Sequence, residues 1–272
     1  MAENVFNPKQ IRLEYFLKEY KQDSNLLNIL NTDNREFDFL KNPAVQHIYN
    51  YQIDYVCNFS KAWFGNNSFS ILDWGCGKGH VSYWLIKKGM TITSCDVSNT
   101  GVTSAFGIDS PIIKNININV VELKHEYILP FPNESFHVVL SFGVLEHVSN
   151  DLESLKEIKR ILKPGGLFFC FYLPYKFSYT QNIQHLRGQW YHDKLYSKNH
   201  IKRLLENTNL DVMDIWHRAL FPKISIRFKN YHKIEKIDNW LCNNTILKYL
   251  ATNIEFVASK GKLKPARVHA GG

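Results

Sequence analysis

The sequence holds no pair of cysteines close enough to act together. Its five, Cys57, Cys76, Cys95, Cys170 and Cys242, are odd in number, widely spaced and form no C-x-x-C unit. That excludes a disulfide scaffold and a zinc knuckle and leaves a reduced, cytoplasmic protein as the expectation. Long apolar runs are equally scarce. The longest, Leu167 to Leu173, is far below the roughly 20 residues a membrane span requires. The opening residues, Met1-Ala2-Glu3-Asn4-Val5, show no basic stretch followed by an apolar one, so no secretory leader is expected. Internal repeats and low-complexity tracts are missing too; Asn115-Ile116-Asn117-Ile118-Asn119 reflects a bias toward Asn and Ile.

What is present is an ordinary globular composition with a basic surplus. Hydrophobic residues make up 44% of the 272, enough to bury a full α/β core and to exclude wholesale disorder. The formal charge of +8 would suit nucleic acid, but its placement weakens that reading. Lys260, Lys262, Lys264 and Arg267 lie in a stretch free of acids and carry four of those eight charges. Residues 261–272 read as a flexible tail.

Residues 1–66 read as a helical, aromatic-rich cap, and 67–260 as the main domain. Ile11-Arg12-Leu13-Glu14-Tyr15-Phe16-Leu17 opens one amphipathic pattern. A second runs from Pro43, suited to a first helical turn, to Phe64. Ile48, Tyr51, Tyr55 and Phe59 share one face of it, with Gln52 a polar interruption. From Phe69 the pattern changes to short apolar runs alternating with helical periodicity, as in βαβ units and a parallel sheet. Strands are expected at 69–73, 91–95, 118–123, 136–142, 166–172, 210–216 and 253–259, and helices at 78–89, 99–106, 150–162 and 197–207. Ser149 is placed to cap the 150–162 helix and Lys163-Pro164-Gly165-Gly166 to stop it. Two stretches break the alternation, 173–196 and 218–250; loops that long in a compact domain hold extra helices or function.

The chemistry begins at Gly75-Cys76-Gly77-Lys78-Gly79-His80. Glycines at a strand-to-helix turn let the backbone approach a bound cofactor, and the helix that follows offers free N–H donors. A dinucleotide loop needs G-x-G-x-x-G; here the third glycine comes one residue early, which disfavours NAD(P) and FAD. Asp96 follows the second strand about 20 residues on, where a carboxylate can accept both hydroxyls of a ribose. Two further signals are Leu129-Pro130-Phe131 leading to Phe136–Val148 with its Leu145-Glu146-His147, and Leu162-Lys163-Pro164-Gly165-Gly166 before an apolar strand.

In this order and spacing, across residues 67–175, these motifs strongly resemble class I S-adenosylmethionine-dependent methyltransferases, in particular the ubiquinone/menaquinone-type small-molecule branch. The resemblance implies a doubly wound α/β fold whose seven-stranded sheet has the order 3-2-1-4-5-7-6, with the last strand antiparallel. It implies S-adenosylmethionine as methyl donor and S-adenosylhomocysteine as product. By position, Asp73, Gly75 and Gly77 would hold the methionine end and Asp96 the ribose. Val97 would line the adenine, and Ser141 and Phe142 would floor the site. Where the family carries an acid for the adenine amino group this chain has His125, so Glu126 and Tyr127 are the expected adenine neighbours. His137 replaces a usual Asp at a position that is normally structural.

Methyl transfer is an in-line displacement that depends on positioning, and a hydroxyl acceptor also gains from a base with a pKa near 7. His147, after the fourth strand, and His192, in Gln189-Trp190-Tyr191-His192-Asp193, are the candidate bases; the competing readings are a His147 with no proton-transfer role and an exposed loop His192 stacked on Trp190 or Tyr191. Asp193 could orient His192. No metal is expected, since Ser141-Phe142-Gly143 supplies no carboxylate and Glu146 alone makes no metal site. The signatures of adenine-N6, cytosine-C5 and protein-arginine enzymes are missing, which disfavours nucleic acid and protein substrates. The expected acceptor is a small molecule or a lipid- or sugar-type compound, with O-methylation ahead of N- or C-methylation. A nucleic-acid-modifying enzyme and a catalytically idle scaffold are the rivals. Region 218–250 is rich in Arg, Lys and aromatics. It is either a packed insertion or a lid for an acidic or lipid-linked acceptor or a membrane surface. No feature sets an oligomeric state.

Overall fold

The computed structural model describes residues 6–16, 18–31, 35–97, 110–188, 192, 194–221 and 230–261. Seven strands form one sheet: β1 (Ile71–Trp74), β2 (Ile92–Val97), β3 (Val120–Leu123), β4 (Phe136–Phe142), β5 (Leu162–Pro174), β6 (Asp211–Arg218) and β7 (Asn253–Ser259). Their order is β3-β2-β1-β4-β5-β7-β6, as the sequence implied. β7 runs antiparallel to both β5 and β6, and the other pairings are parallel.

The helices are α1 (Pro8–Phe16), α2 (Ser24–Ile29), α3 (Pro43–Phe64), α4 (His80–Lys87), α5 (Pro111–Ile116), α6 (Asp151–Ile161), α7 (Tyr179–Leu186), α8 (Lys198–Asn207) and α9 (Tyr231–Asn244). The helix expected at 99–106 lies outside the described residues. Both long irregular stretches hold helices: α7 in the first, α9 and a short 3-10 turn, Ile246–Leu250, in the second.

Side chains alternate across the sheet, so both faces are apolar, as a parallel sheet covered by helices requires. Phe136 and Val139 of β4 with Phe168 and Cys170 of β5 face the core under α6 and α8. Val138, Leu140, Phe169 and Phe171 face the other core, which α3 and α4 close with Tyr55, Phe59, Trp63 and Trp84. The N-terminal helical segment is therefore part of one sheet face. α3 starts as the sequence predicts, with Asn42 capping the Ala44 amide and Pro43 in the first turn, and it ends on left-handed Gly65.

Two expectations at α6 need correction. Its N-cap is Asn150, whose side chain accepts from the Glu153 amide; Ser149 instead donates its own amide to Glu126. No glycine stops the helix either: Leu162 turns directly to extended backbone and begins β5, so Lys163-Pro164-Gly165-Gly166 lies within the strand. Gln52 is no mere interruption: it donates to Glu255 Oε1 at 3.1 Å and accepts from the Tyr172 hydroxyl at 2.6 Å. Those contacts belong to a buried seam in which Glu255 meets Arg218 at 3.5 Å and accepts from Trp216 Nε1 at 2.9 Å.

Candidate active site

β1, β2 and β4 end level, Trp74 pairing with Cys95 on one side and Ser141 on the other. Everything that follows these strands therefore collects on one rim, the carboxyl end of a doubly wound sheet, where such folds bind ligands. The glycine loop leaves β1 with left-handed backbone at Gly75 (φ 70), Gly77 (φ 49) and Gly79 (φ 77), and Gly79 caps α4. The three have different reasons to be glycine. A Cβ on Gly75 would lie 2.5 Å from Val144 Cγ2 and one on Gly79 2.4 Å from Ile113 Cγ1, whereas one on Gly77 meets nothing within 4 Å. Gly75 and Gly79 let the walls close in, and Gly77 keeps a space open beside the backbone. That space suits S-adenosylmethionine.

Asp96, near the end of β2, is latched to this loop. Its Oδ2 accepts from the Gly77 amide at 2.6 Å and its Oδ1 from the Val97 amide at 2.8 Å. Burial raises its pKa, opposed by those two amides. Each carboxylate oxygen keeps further lone pairs for a ribose hydroxyl. Val97 is half-buried, and the next twelve residues are not described. Asp73 is 1% exposed and accepts from Ser82 Oγ at 2.6 Å, Ser82 in turn meeting Ser94 Oγ at 2.8 Å. Burial pushes its carboxyl up to about 7. The sequence placed Asp73 at the methionine end; its contacts show it tying β1 to α4 from within the core.

At the end of β4, Ser141 is buried, and Phe142 lies over Phe171 with ring centres 4.6 Å apart. Tyr49 of α3 joins Phe142 at 6.0 Å, Tyr172 at 5.7 Å and His80 at 4.6 Å. This aromatic wall comes from four separate elements; Tyr49 and Tyr172 went unread in the sequence, and His80 was read only as the end of the glycine motif. Tyr172 has a left-handed backbone (φ 66) inside the irregular stretch of the β5–β7 ladder. Such strain persists only where neighbours hold it.

Glu126 stands between β3 and β4 and accepts from the Ser149 amide at 2.6 Å; Tyr127 is half-buried near His125. The same approach segment is held by a fork from α6. Arg160 donates to the carbonyls of Leu129 and Phe131 while pairing with Glu157, which accepts from the Leu129 amide. His137 accepts from the Ser70 amide at 3.0 Å, a structural role.

The two candidate histidines converge. His147 and His192 lie 45 residues apart in sequence, yet their rings are 5.9 Å apart. Glu146 completes the group, with Oε1 3.9 Å from His147 Nε2. One ligand-type atom from each of the three lies within 4.8 Å of the others, a spacing a divalent cation could also bridge. Glu146 is 7% exposed, and burial, with Asp151 nearby, pushes its carboxyl up to about 7. The loops carrying these residues are pinned together. Lys194 pairs with Asp151 and donates to the Val148 carbonyl, and the Tyr196 hydroxyl donates to Asp151 Oδ2 at 2.9 Å and to the Leu145 carbonyl at 3.1 Å. Asp193, the expected orienter, lies outside the described residues.

A glycine loop latched to an acid at the end of the second strand, on a sheet of this order, defines a class I methyltransferase fold. Residues 72–170 match the family model described as methyltransferase domain. Residues 72–170 thus carry a methyltransferase domain, set in a sheet of the class I, S-adenosylmethionine-dependent fold. A ubiquinone biosynthesis O-methyltransferase of Caulobacter vibrioides is 31% identical over 100 residues, 37% of this chain and 39% of that one. The arginine-hydroxylase NDUFAF5, mitochondrial, of Rattus norvegicus is 28% identical over 157 residues, 57% of this chain and 41% of that one. The chain thus spans about two fifths of the length of these relatives. A SAM-dependent methyltransferase structure from Archaeoglobus fulgidus shares the fold, with TM-score 0.53, 15% identity and coverage of 88% of this chain and 100% of that one. Among the described residues no helix is long and apolar enough to cross a membrane.

Proposed function

We propose that the chain methylates an oxygen of a small-molecule or lipid- or sugar-linked acceptor, and that the hydroxyl meets Glu146, His147 and His192. The observation that carries this reading is the convergence of those three groups at the carboxyl end of β4. S-adenosylmethionine, when bound, supplies an electrophilic methyl carbon. The chain's own groups do the rest. The Gly75–Gly79 loop and Asp96 hold the methionine and ribose parts, with Val97, Glu126 and Tyr127 beside the adenine. Phe142, Tyr49 and Tyr172 keep water from the reacting centre. Glu146, balanced between its two forms near pH 7, takes the hydroxyl proton directly or by way of His147, which a base of matched pKa does best. The O-methyltransferase name of the Caulobacter relative supports oxygen as the acceptor atom.

The test is to incubate the chain with methyl-labelled S-adenosylmethionine and a panel of phenols, hydroxyacids, glycosides and lipid extracts. The expected result is release of S-adenosylhomocysteine and a labelled methoxy group. A label on nitrogen, carbon or nucleic acid overturns the oxygen assignment. Cofactor binding without turnover on any acceptor would favour a scaffold.

A further inference from the structure

Away from the methyl-transfer residues, a cavity of about 280 Å³ opens at the β6 edge of the sheet. Four cations line it, Lys9 and Arg12 from α1, Lys198 at the start of α8 and Lys248 from the 3-10 turn. Asp214 is the one carboxylate lining it among the described residues, and Arg12 Nε is 3.0 Å from that group. The cavity is therefore strongly positive.

Its wall also contains His217, 7% exposed, whose buried Nε2 has no hydrogen-bond partner. An unpartnered polar atom in a core carries a desolvation cost. Burial, then Lys248 and Lys198, holds the ring down at about 4. It is therefore neutral near pH 7 and adds no positive charge of its own to the wall. His217 stands edge-on to Tyr175 at 4.6 Å and Tyr249 at 5.6 Å, and Tyr175 stands against Phe177 at 5.6 Å.

That aromatic seam leads to an apolar surface. In the five-residue turn Ile246–Leu250, every residue except Lys248 is apolar or aromatic and exposed, Ile246 to 80%. Phe177 is exposed beside it in the seam. The turn sits just before Asn253, which pairs with Pro174 and Arg218 at the ends of β5 and β6. It thus lies on the same rim as the cofactor loop. A soluble anion would be served by the cations alone and gives no reason for four exposed apolar side chains around Lys248. A lipid surface explains both.

We propose that this cavity binds the phosphate headgroup of an anionic phospholipid while the Ile246–Leu250 turn docks into the lipid surface, so that the rim carrying the active site faces a membrane. The proposal does not depend on which acceptor is methylated.

It is tested by co-sedimentation of the full chain with phosphatidylcholine vesicles, with and without phosphatidylglycerol. Lys198→Glu/Lys248→Glu, Ile246→Asp/Leu250→Asp and the remote control Lys156→Glu are compared, with thermal melts and S-adenosylmethionine affinity confirming each fold. The expected result is binding that requires phosphatidylglycerol. The lysine pair should weaken it at least tenfold, at about fivefold for each charge near the surface. The apolar pair should abolish it, and Lys156→Glu and cofactor affinity should barely change. Failure to bind phosphatidylglycerol vesicles, or equal loss in Lys156→Glu, overturns the proposal. So does calorimetric binding of inorganic phosphate with no vesicle binding, which would make this the site of a soluble anion.

Discussion

The Gly77 amide donates to Asp96 Oδ2 at 2.6 Å, joining the loop after β1 to the acid at the end of β2. Asp96 is thus both the candidate ribose ligand and a brace for the backbone proposed to cradle the methionine part. Losing it removes two kinds of support at once.

Asp96→Ala should lower S-adenosylmethionine affinity at least a hundredfold, since each charge-assisted hydrogen bond to a carboxylate is worth about 1.5–3 kcal/mol. Calorimetric titration checks this. An affinity within threefold of the original would remove Asp96 from the cofactor site.

The glycines should separate by role. Gly75→Ala drives a Cβ to 2.5 Å from Val144, in a left-handed backbone, and should lower stability by about 2–4 kcal/mol. Gly77→Ala meets nothing within 4 Å and should cost only about 1 kcal/mol, yet weaken cofactor binding sharply because its methyl enters the open space. Denaturant melts and titrations on both variants distinguish the two effects.

Asp73 makes stability depend on pH. Its carboxyl rises from 3.8 to about 7 in the folded chain. Below about 4 both folded and unfolded forms are protonated. Between about 4 and 7 the unfolded chain ionises first, so folding becomes less favourable as pH rises, and the loss is complete above 7. Asp73→Asn removes this penalty while still accepting from Ser82. Relative to the parent it should gain more stability at pH 8 than at pH 4, by as much as about 4 kcal/mol. Equal effects at both pH values would refute the burial assignment.

With an acceptor in hand, turnover should rise with pH to a plateau above about 7, because the ionised form of Glu146 takes the proton. Glu146→Gln should flatten that limb and reduce kcat by about 10²–10⁴. Its S-adenosylmethionine affinity should stay unchanged. A retained limb in Glu146→Gln would move the base to His147 or His192.

The strand–loop–helix unit at Gly75 and the acid at Asp96 were legible in the chain because each depends on short-range spacing, and the sheet order was legible only through the family resemblance that these motifs carry. A glycine loop, an acid one βα unit later and period-two apolar runs are local patterns that the fold merely assembles. The N-terminal face of α3 was legible for the same reason. Glycine alone could not say that Gly75 and Gly79 are steric while Gly77 is open; that depends on Val144 and Ile113, distant in sequence. The end of α6 escaped as well. Lys163-Pro164-Gly165-Gly166 has the chemistry of a helix stop, but pairing of Leu162 with Phe136 extends the strand through it.

The sequence by itself determined the alternating α/β pattern, since it rests on residues that lie near one another along the chain and follow fixed periods, and its motifs determined the methyl donor through their resemblance to a known family. Only the tertiary structure decided that His147 and His192 belong to one group with Glu146, that Asp73 acts from within the core, and that Lys9, Lys198, Lys248 and His217 share a cavity. Those relations depend on which strand ends stand level and which loops fold over the same rim. Long-range packing sets them, and no spacing in the chain encodes it.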